Sequence, residues 1–268
     1  MKISFIGGGN MAKAIIGGLK NNGFDMAAIQ VLEPDAEKRT ALSTEFNVKT
    51  CSKIDEIRDT SVIILAVKPQ QLHDVCLQIM PILKAQLIIS IAAGIRSIDI
   101  SRWLNQYQAI VRVMPNTPAQ IQAGVSALYA NNSVTQLQRD QATTILAAVG
   151  KTIWLNDESK MDAVTAISGS GPAYVFYLIE ALQEAGISLG LPLEQAQMLA
   201  LQTFAGASLL ATQSVTDIKT LRAQVTSKGG TTEQGILALE NANIKNIMLK
   251  AAKAAADKSR TLGDDLAQ

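Results

Sequence analysis

KISFIGGGNMA, residues 2–12, is the segment of the chain that most clearly indicates its fold. An apolar run ends where three glycines begin, and a helix-like segment follows them. Gly7, Gly9 and Ala12 have the spacing G-x-G-x-x-A: the first permits a tight turn, the second lets backbone approach a pyrophosphate, and the third lets the helix pack closely on a sheet. N–H groups at the start of that helix would face the anion. The stretch predicts a dinucleotide site; the alternative is a glycine-rich turn without a ligand.

The first half of the chain alternates β-rich runs with helix-like segments. The strand candidates are KISFI (2–6), IQVLE (29–33), SVIILAV (61–67), QLIISIA (86–92) and AIVRVM (109–114). Alternation of this kind predicts βαβ units, and nearly continuous Val, Ile and Leu indicates strands covered by helices on both faces. We therefore expect an α/β fold whose N-terminal domain, residues 1–158, is a Rossmann-type doubly wound sheet that binds a dinucleotide.

The second half carries no strand pattern. Its Ala- and Leu-rich segments, residues 171–190, 193–213 and 246–262, have helical spacing. We expect an all-α C-terminal domain over residues 159–268. Its apolar helices have more surface than a domain of this size can bury alone, which predicts an obligate homodimer or a larger assembly.

Composition excludes several classes of partner. The 268 residues contain 24 Lys+Arg against 23 Asp+Glu, a net charge of +1, and 4% aromatics. This balance favours neither nucleic acid nor an anionic membrane as a partner. Cys51 and Cys76 have no metal or CxxC spacing, so we expect no metal site and two reduced, packed thiols. With no secretory pattern and VIILAV as the longest apolar run, we expect a soluble, cytoplasmic protein.

The end of the second predicted strand bears on the choice of nicotinamide cofactor. Glu33 is placed to hold a ribose 2′-hydroxyl, which favours NAD. Lys38 and Arg39 lie close enough in sequence to reach a 2′-phosphate, which favours NADP. A third reading is that these charges, with Asp35, only solvate a loop. The sequence leaves the three open.

Three further turns follow predicted strands, where open α/β sheets bind ligands. They are AVKP (66–69), SIAAG (90–94) and MPNTP (114–118). Small residues in the first two would let a flat cofactor lie against backbone. Lys68 could support a phosphate or a loop carbonyl, and Asn116 could meet a carboxamide. Each turn by itself could be an ordinary connection between a strand and a helix.

The entry to the helical half lacks a strong proton donor. The segment AISGSGPAYVFYLIEAL, residues 166–182, contains no Lys, Arg, His or Cys. Gly169, Gly171 and Pro172 predict a tight turn into a helix. The single histidine, His73, lies within a predicted helix and is interpreted as an ordinary helix residue.

A polar stretch near the end of the chain offers another kind of site. TSKGGTT, residues 226–232, predicts a loop entering a helix with Thr231 as N-cap and Gln234 at the N3 position. Successive backbone N–H groups there would form an anion-binding concavity, to which Ser227, Thr231 and Thr232 add hydroxyls. The arrangement suits a small carboxylate beside a group that needs one modest hydrogen bond. The alternative is a capped helix start without a ligand.

Taken in order, these motifs resemble one enzyme family nearly end to end. FIGGGNMA, AVKP, SIAAG, MPNTP, SGSGPAY and VTSKGGTT occur in the order and at the spacing of pyrroline-5-carboxylate reductases, and the last two are specific. The chain departs from the family at Lys228, where proline is usual. It also departs at Glu33 and Asp35, where many members carry small hydroxyl residues, so a preference for NADPH does not simply transfer.

The resemblance implies hydride transfer from NADP or NAD, in the reduced form, to the C=N carbon of 1-pyrroline-5-carboxylate, giving proline. It implies interlocked homodimers and, in many members, rings of five dimers. Carried over by position, Ser227, Gly230 and Thr231 would hold the substrate carboxylate, and Thr232 would hydrogen-bond the ring nitrogen as the catalytic residue. The implied cofactor-lining residues are Ile6, Gly7, Gly8, Gly9, Asn10, Met11, Ala66, Val67, Lys68, Pro69, Ile91, Ala92 and Ala93.

Two other functions remain compatible with this outline. A β-hydroxyacid dehydrogenase also joins a Rossmann domain to a helical domain, but such enzymes place a catalytic lysine on the first interdomain helix. Residues 172–187 contain none. The other candidate is a non-catalytic dinucleotide-binding module.

Overall fold

The computed structural model describes residues 1–57 and 59–267, which form two compact units. The sheet unit comprises residues 1–170 together with the C-terminal segment from residue 254, and the helical unit comprises Gly171–Lys253. The domain boundary between residues 158 and 159 stays a prediction.

In the described part of the chain, the sheet unit contains eight strands in the order β3-β2-β1-β4-β5-β6-β7-β8. All neighbours are parallel except β6 and β7. The order reverses between β1 and β4, the point at which doubly wound sheets bind ligands. The predicted Rossmann-type sheet is therefore confirmed. The strands are β1 Ile3–Ile6, β2 Ile29–Leu32, β3 Lys49–Cys51, β4 Val62–Leu65, β5 Leu87–Ser90, β6 Ile110–Met114, β7 Gly124–Ala130 and β8 Gly150–Trp154.

Three of these strands, β3, β7 and β8, were missed by the sequence patterns. β3 has only three residues, and β8 alternates between half-buried and exposed positions at the sheet edge. β7 runs antiparallel to β6 because only residues 115–123 join them. A parallel pair needs a crossover of a dozen or more residues.

Helices cover both faces of the sheet, as the apolar strands predicted. Phe5 on β1 and Ile15 on the helix after it belong to one buried cluster, and Ile63 and Leu72 belong to the cluster on the other face.

Cys76 packs in the second cluster, where burial raises the pKa of its thiol to about 12. Cys51 is also buried and free.

The helices of the sheet unit are α1 Asn10–Asn21, α2 Ala36–Phe46, α3 Pro69–Ile79, α4 Ser97–Trp103, α5 Gln136–Ala147 and α6 Met161–Val164. Those of the helical unit are α7 Gly171–Ser188, α8 Leu193–Gln213, α9 Ile218–Gln224 and α10 Thr231–Asn241. α11, Ile244–Leu266, passes from the helical unit into the sheet unit along the chain. The three Ala- and Leu-rich segments are confirmed as helices.

The helical unit buries little of its own apolar surface in the single chain. No residue of α7, α9 or α10 is buried, and α8 buries only Ala196 and Ala200. Phe176 is 65% exposed and Leu189 is 85% exposed. Across residues 1–57 and 59–267, no helix is both long and apolar enough to cross a bilayer.

Candidate active site

The glycine loop lies at the carboxyl ends of β1 and β4. Gly7 has φ of +98°, and its N–H donates to the Leu32 carbonyl at 2.8 Å. A Cβ on Gly7 would lie 2.9 Å from the Ala66 carbonyl oxygen. Both the backbone conformation and the close approach to the next strand therefore require glycine at this position.

The start of α1 is open to a ligand. Gly9 is the N-cap, makes no side-chain cap, and has no acidic residue in the turn that follows it. A Cβ on Gly9 would meet no atom within 4 Å, whereas a Cβ on Gly8 would lie 2.5 Å from Leu42 Cδ1. The loop is thus packed on its protein side and empty on its outer side. The free N–H groups of the first turn fit a pyrophosphate.

Glu33 braces this loop. Its side chain is buried; Oε2 accepts from the Gly8 N–H at 3.0 Å and Oε1 accepts from the Asp35 N–H at 3.1 Å. The reading in which Glu33 only solvates a loop is therefore wrong, because its carboxylate is committed to two backbone donors. The carboxylate still has lone pairs that a ribose hydroxyl can use.

The cations near Glu33 are placed differently. Arg39 Nη1 donates to the carbonyls of Glu33 and Pro34 at 2.8 and 2.7 Å. Asp35 caps α2 by accepting from the Lys38 N–H at 3.1 Å, a bond that lowers the pKa of Asp35. Arg39 therefore holds a positive charge at the Glu33–Pro34 turn, the same turn that carries the Glu33 carboxylate. The structure thus keeps both the carboxylate that favours NAD and the guanidinium that favours NADP at this turn, and does not choose between the two cofactors.

The AVKP turn continues the same edge from β4. The Ala66 N–H donates to the Ile6 carbonyl at 2.9 Å, which joins the turn to β1. Lys68 is the N-cap of α3, and Pro69 occupies its first position. The Lys68 ammonium is exposed and has no partner among the residues that the structure describes. It is free to meet a phosphate.

The SIAAG and MPNTP turns follow the next two strands of the sheet. The Ile91 N–H donates to the Leu65 carbonyl at 3.2 Å, and Ala92 is buried against the sheet. Asn116 Oδ1 accepts from the Val125 N–H at 2.9 Å. Because Oδ1 is occupied, the amide nitrogen of Asn116 is the atom left to donate, which suits the oxygen of a carboxamide. β1, β4, β5 and β6 are neighbours, so all four turns share one sheet edge.

One feature near this edge was missed by the sequence. Thr165–Gly169 forms a π-helical turn, with the Ser170 N–H donating to the Thr165 carbonyl at 2.8 Å. The predicted tight turn at this point is therefore wrong. A Cβ on Gly169 would overlap Met114 Cε at the end of β6. The buried Ser168 hydroxyl has no hydrogen-bond partner in the described chain. π-Helical turns are frequent at functional sites but have no compositional signature.

The TSKGGTT loop lies in the helical unit and opens α10. Its N-cap is Gly230, with no side-chain cap. The predicted capping box of Thr231 and Gln234 is wrong by one position. Glu233 occupies the N3 position instead, and its Oε2 accepts a hydrogen bond from the Gly229 N–H at 2.7 Å. Gly229 has φ of +75°, a conformation that favours glycine.

This shift leaves the polar groups of the loop available. The hydroxyls of Ser227, Thr231 and Thr232 are on exposed residues and make no hydrogen bond with any described residue. The Gly230 N–H donates to the Ser227 carbonyl at 3.0 Å, and a Cβ on Gly230 would lie 2.5 Å from Ser227 Oγ. The loop therefore presents three hydroxyls and a helix N-terminus. Such a group of donors binds a carboxylate.

Comparisons with known proteins agree along the whole chain. Residues 158–262 match the family model described as pyrroline-5-carboxylate reductase dimerisation. Residues 2–94 match the model described as NADP oxidoreductase, coenzyme F420-dependent. The pyrroline-5-carboxylate reductase of Pseudomonas aeruginosa is 44% identical over 100% of this chain and 98% of its own length.

Two solved structures are similar over nearly their full lengths. A pyrroline-5-carboxylate reductase from Coxiella burnetii has a TM-score of 0.93 and 41% identity, covering 97% of this chain and 98% of that one. A Plasmodium falciparum pyrroline carboxylate reductase with NADP bound has a TM-score of 0.87 and 31% identity, covering 98% of each chain.

Proposed function

Because the chain belongs to the pyrroline-5-carboxylate reductase family, we propose that it reduces the C=N bond of 1-pyrroline-5-carboxylate to give L-proline, the last step of proline synthesis. The observation that carries this conclusion is the full-length similarity to reductases of that name, one of which is 44% identical. The reduced nicotinamide of NADPH or NADH supplies the hydride when it is bound.

The residues proposed to hold the cofactor follow one edge of the sheet. The Gly7–Gly9 loop and the start of α1 receive the pyrophosphate, and Glu33 lies at the adenosine end. Lys68 supports a phosphate, and the amide nitrogen of Asn116 meets the carboxamide. The remaining proposed lining residues are Ile6, Asn10, Met11, Ala66, Val67, Pro69, Ile91, Ala92 and Ala93.

The proposed substrate site is the loop that opens α10. Ser227, Gly230 and Thr231 hold the carboxylate, through the hydroxyls of Ser227 and Thr231 and the helix N-terminus at which Gly230 is the N-cap. Thr232 hydrogen-bonds the ring nitrogen and is the proposed catalytic residue. A protonated imine is already electrophilic, so the protein needs to orient it and to stabilise one hydrogen bond rather than to supply a strong acid.

The proposed active form is a homodimer made through the helical unit. The exposed apolar residues of α7 and α8, among them Phe176 and Leu210, need a partner surface. The match to the dimerisation model covers this part of the chain. We extend the proposal to a ring of five dimers, which light scattering on the purified protein tests directly.

The free, buried thiols of Cys51 and Cys76 support a reducing, cytoplasmic location.

One assay separates this function from its rivals. Consumption of NADH or NADPH with pyrroline-5-carboxylate as substrate is the expected activity. Oxidation of 3-hydroxyisobutyrate with NAD would instead indicate a β-hydroxyacid dehydrogenase, although α7 carries no lysine. Cofactor binding with neither activity would indicate a binding module and would overturn the proposal.

A further inference from the structure

The last turns of α11 pack directly on the loop that follows β5. Gly94 in this loop has φ of +82°, and a Cβ there would lie 3.3 Å from both the Gly263 nitrogen and the Ser259 carbonyl oxygen. In the other direction, a Cβ on Gly263 would lie 2.5 Å from the Gly94 carbonyl oxygen. The two backbones therefore touch without an intervening side chain, and both glycines are buried.

Polar contacts hold the same junction from both sides. Arg96 donates to Asp99 Oδ2 at 2.8 Å and to Asp264 Oδ1 at 2.9 Å. Ser259 Oγ donates to Asp162 Oδ1 at 2.7 Å. Arg102 donates to the Ala267 carbonyl. The C-terminal segment, residues 254–267, is thereby joined to three separate parts of the sheet unit.

The contacted loop is continuous with part of the proposed cofactor lining. At one end Ile91–Ala93 follow β5 directly and are held to β4 by the hydrogen bond from the Ile91 N–H to the Leu65 carbonyl. At the other end they run into Gly94, whose position is set by Gly263. A displacement at Gly94 has only two residues, Ala92 and Ala93, over which to be absorbed.

We propose that the C-terminal segment clamps this loop, and that Gly263 and Asp264 are positioning residues for the reduced nicotinamide. They act through Gly94 and Arg96 and touch no cofactor atom themselves. The inference rests on the proposed function for the identity of the cofactor and for the place of Ile91–Ala93 in its lining. It assigns to the end of the chain a role in dinucleotide binding in addition to the role of the glycine loop.

The two contacts differ in expected strength. Asp264 is an exposed partner of Arg96, and exposed ion pairs contribute little. The glycine pair is a buried backbone contact with no room for a methyl group. The clamp should therefore depend more on Gly263 than on Asp264.

The test is the dissociation constant of NADH and of NADPH, measured on the purified full-length protein by the fluorescence of the bound nicotinamide. Gly263→Ala should weaken both by about tenfold, and Asp264→Asn by about two- to threefold. Asp265→Asn, a neighbouring exposed carboxylate without an ion-pair partner in the described chain, should match the wild type. The KM for pyrroline-5-carboxylate should stay unchanged.

Hydrogen exchange separates positioning from general destabilisation. Residues 91–96 should exchange faster in Gly263→Ala while the strands of the sheet keep wild-type protection. Wild-type dissociation constants in Gly263→Ala would overturn the inference. If Gly263→Ala does not fold, the inference would be overturned by wild-type dissociation constants for NADH and NADPH in both Asp264→Asn and Ser259→Ala. A wild type that binds NADH but does not reduce pyrroline-5-carboxylate would refute the proposed function and leave this test valid.

Discussion

The two glycine loops of the chain make similar local structures in different surroundings. Gly9 and Gly230 are both N-caps without a side-chain cap, and each opens a helix whose first turn can face an anion. The loop before Gly9 is fixed by the core, because Gly7 contacts the Ala66 backbone and Gly8 contacts Leu42. The loop before Gly230 is held locally: Ser227 bonds to Gly230, and Glu233 bonds to Gly229.

The difference indicates two ways of building an anion site. The first loop cannot change without disturbing the sheet, so its substitutions should affect both folding and binding. The second has few neighbours, so its substitutions should affect binding alone. Substitutions in and around the two loops should therefore separate effects on stability from effects on binding.

Gly7→Ala should raise the dissociation constant of NADH by about 100-fold and lower the melting temperature. The reason is the sum of strain at φ of +98° and overlap with the Ala66 carbonyl, about 1–3 kcal/mol each. Gly9→Ala is the matched control, since its Cβ meets no protein atom: it should weaken binding but keep the melting temperature. Full affinity in Gly9→Ala would mean that the phosphates do not lie there.

Thr232→Val should lower kcat/KM for pyrroline-5-carboxylate by roughly 10- to 100-fold. A hydrogen bond to a charged group is worth about 1.5–3 kcal/mol, and valine keeps the shape of threonine without the hydroxyl. Steady-state kinetics should show an unchanged KM for the cofactor, and thermal unfolding an unchanged melting temperature, as expected for a loop that is held only by local contacts. Thr232→Ser should keep most of the activity. If the valine variant were fully active, the Thr232 hydroxyl would have no role in the reaction.

Glu33→Ser should shift the ratio of kcat/KM toward NADPH by roughly tenfold, because a carboxylate beside a 2′-phosphate is repulsive. It should also lower the melting temperature, since the N–H groups of Gly8 and Asp35 lose their acceptor. Glu33→Gln keeps an acceptor oxygen without the charge, so it should shift the preference with a smaller loss of stability. An unchanged ratio in both variants would place Glu33 outside the adenosine site or leave Arg39 dominant.

Glu233→Ala should raise the KM for pyrroline-5-carboxylate by about two- to tenfold, since one hydrogen bond of about 0.5–1.5 kcal/mol orders the loop. Glu233→Gln, which can still accept from Gly229, should recover most of the loss. In a Lys228→Pro background the effect of Glu233→Ala should shrink, because proline already restricts the loop. Kinetics of the four variants decide this, and equal losses in both backgrounds would show that Glu233 does not order the loop.

Much of the architecture follows from patterns within short segments. The G-x-G-x-x-A spacing and the runs around Phe5, Ile63 and Ile88 predicted the sheet, and helical spacing predicted α7 and α8 to within two residues. β7 and β8 were missed because their small or half-exposed residues do not form an apolar run. The capping residue of α10 was misplaced by one position because Thr231 and Gly230 are both acceptable N-caps.

Sequence patterns alone were enough to identify the class of fold and the family, and to predict the sheet edge at which we propose that the dinucleotide binds. These depend on periodicity and on short motifs, which are local properties of the chain. The contacts of Glu33 with Gly8 and of Gly263 with Gly94 became visible only in the folded structure. These contacts join residues far apart in the chain, and their distances depend on how whole helices pack against the sheet, which no local pattern encodes.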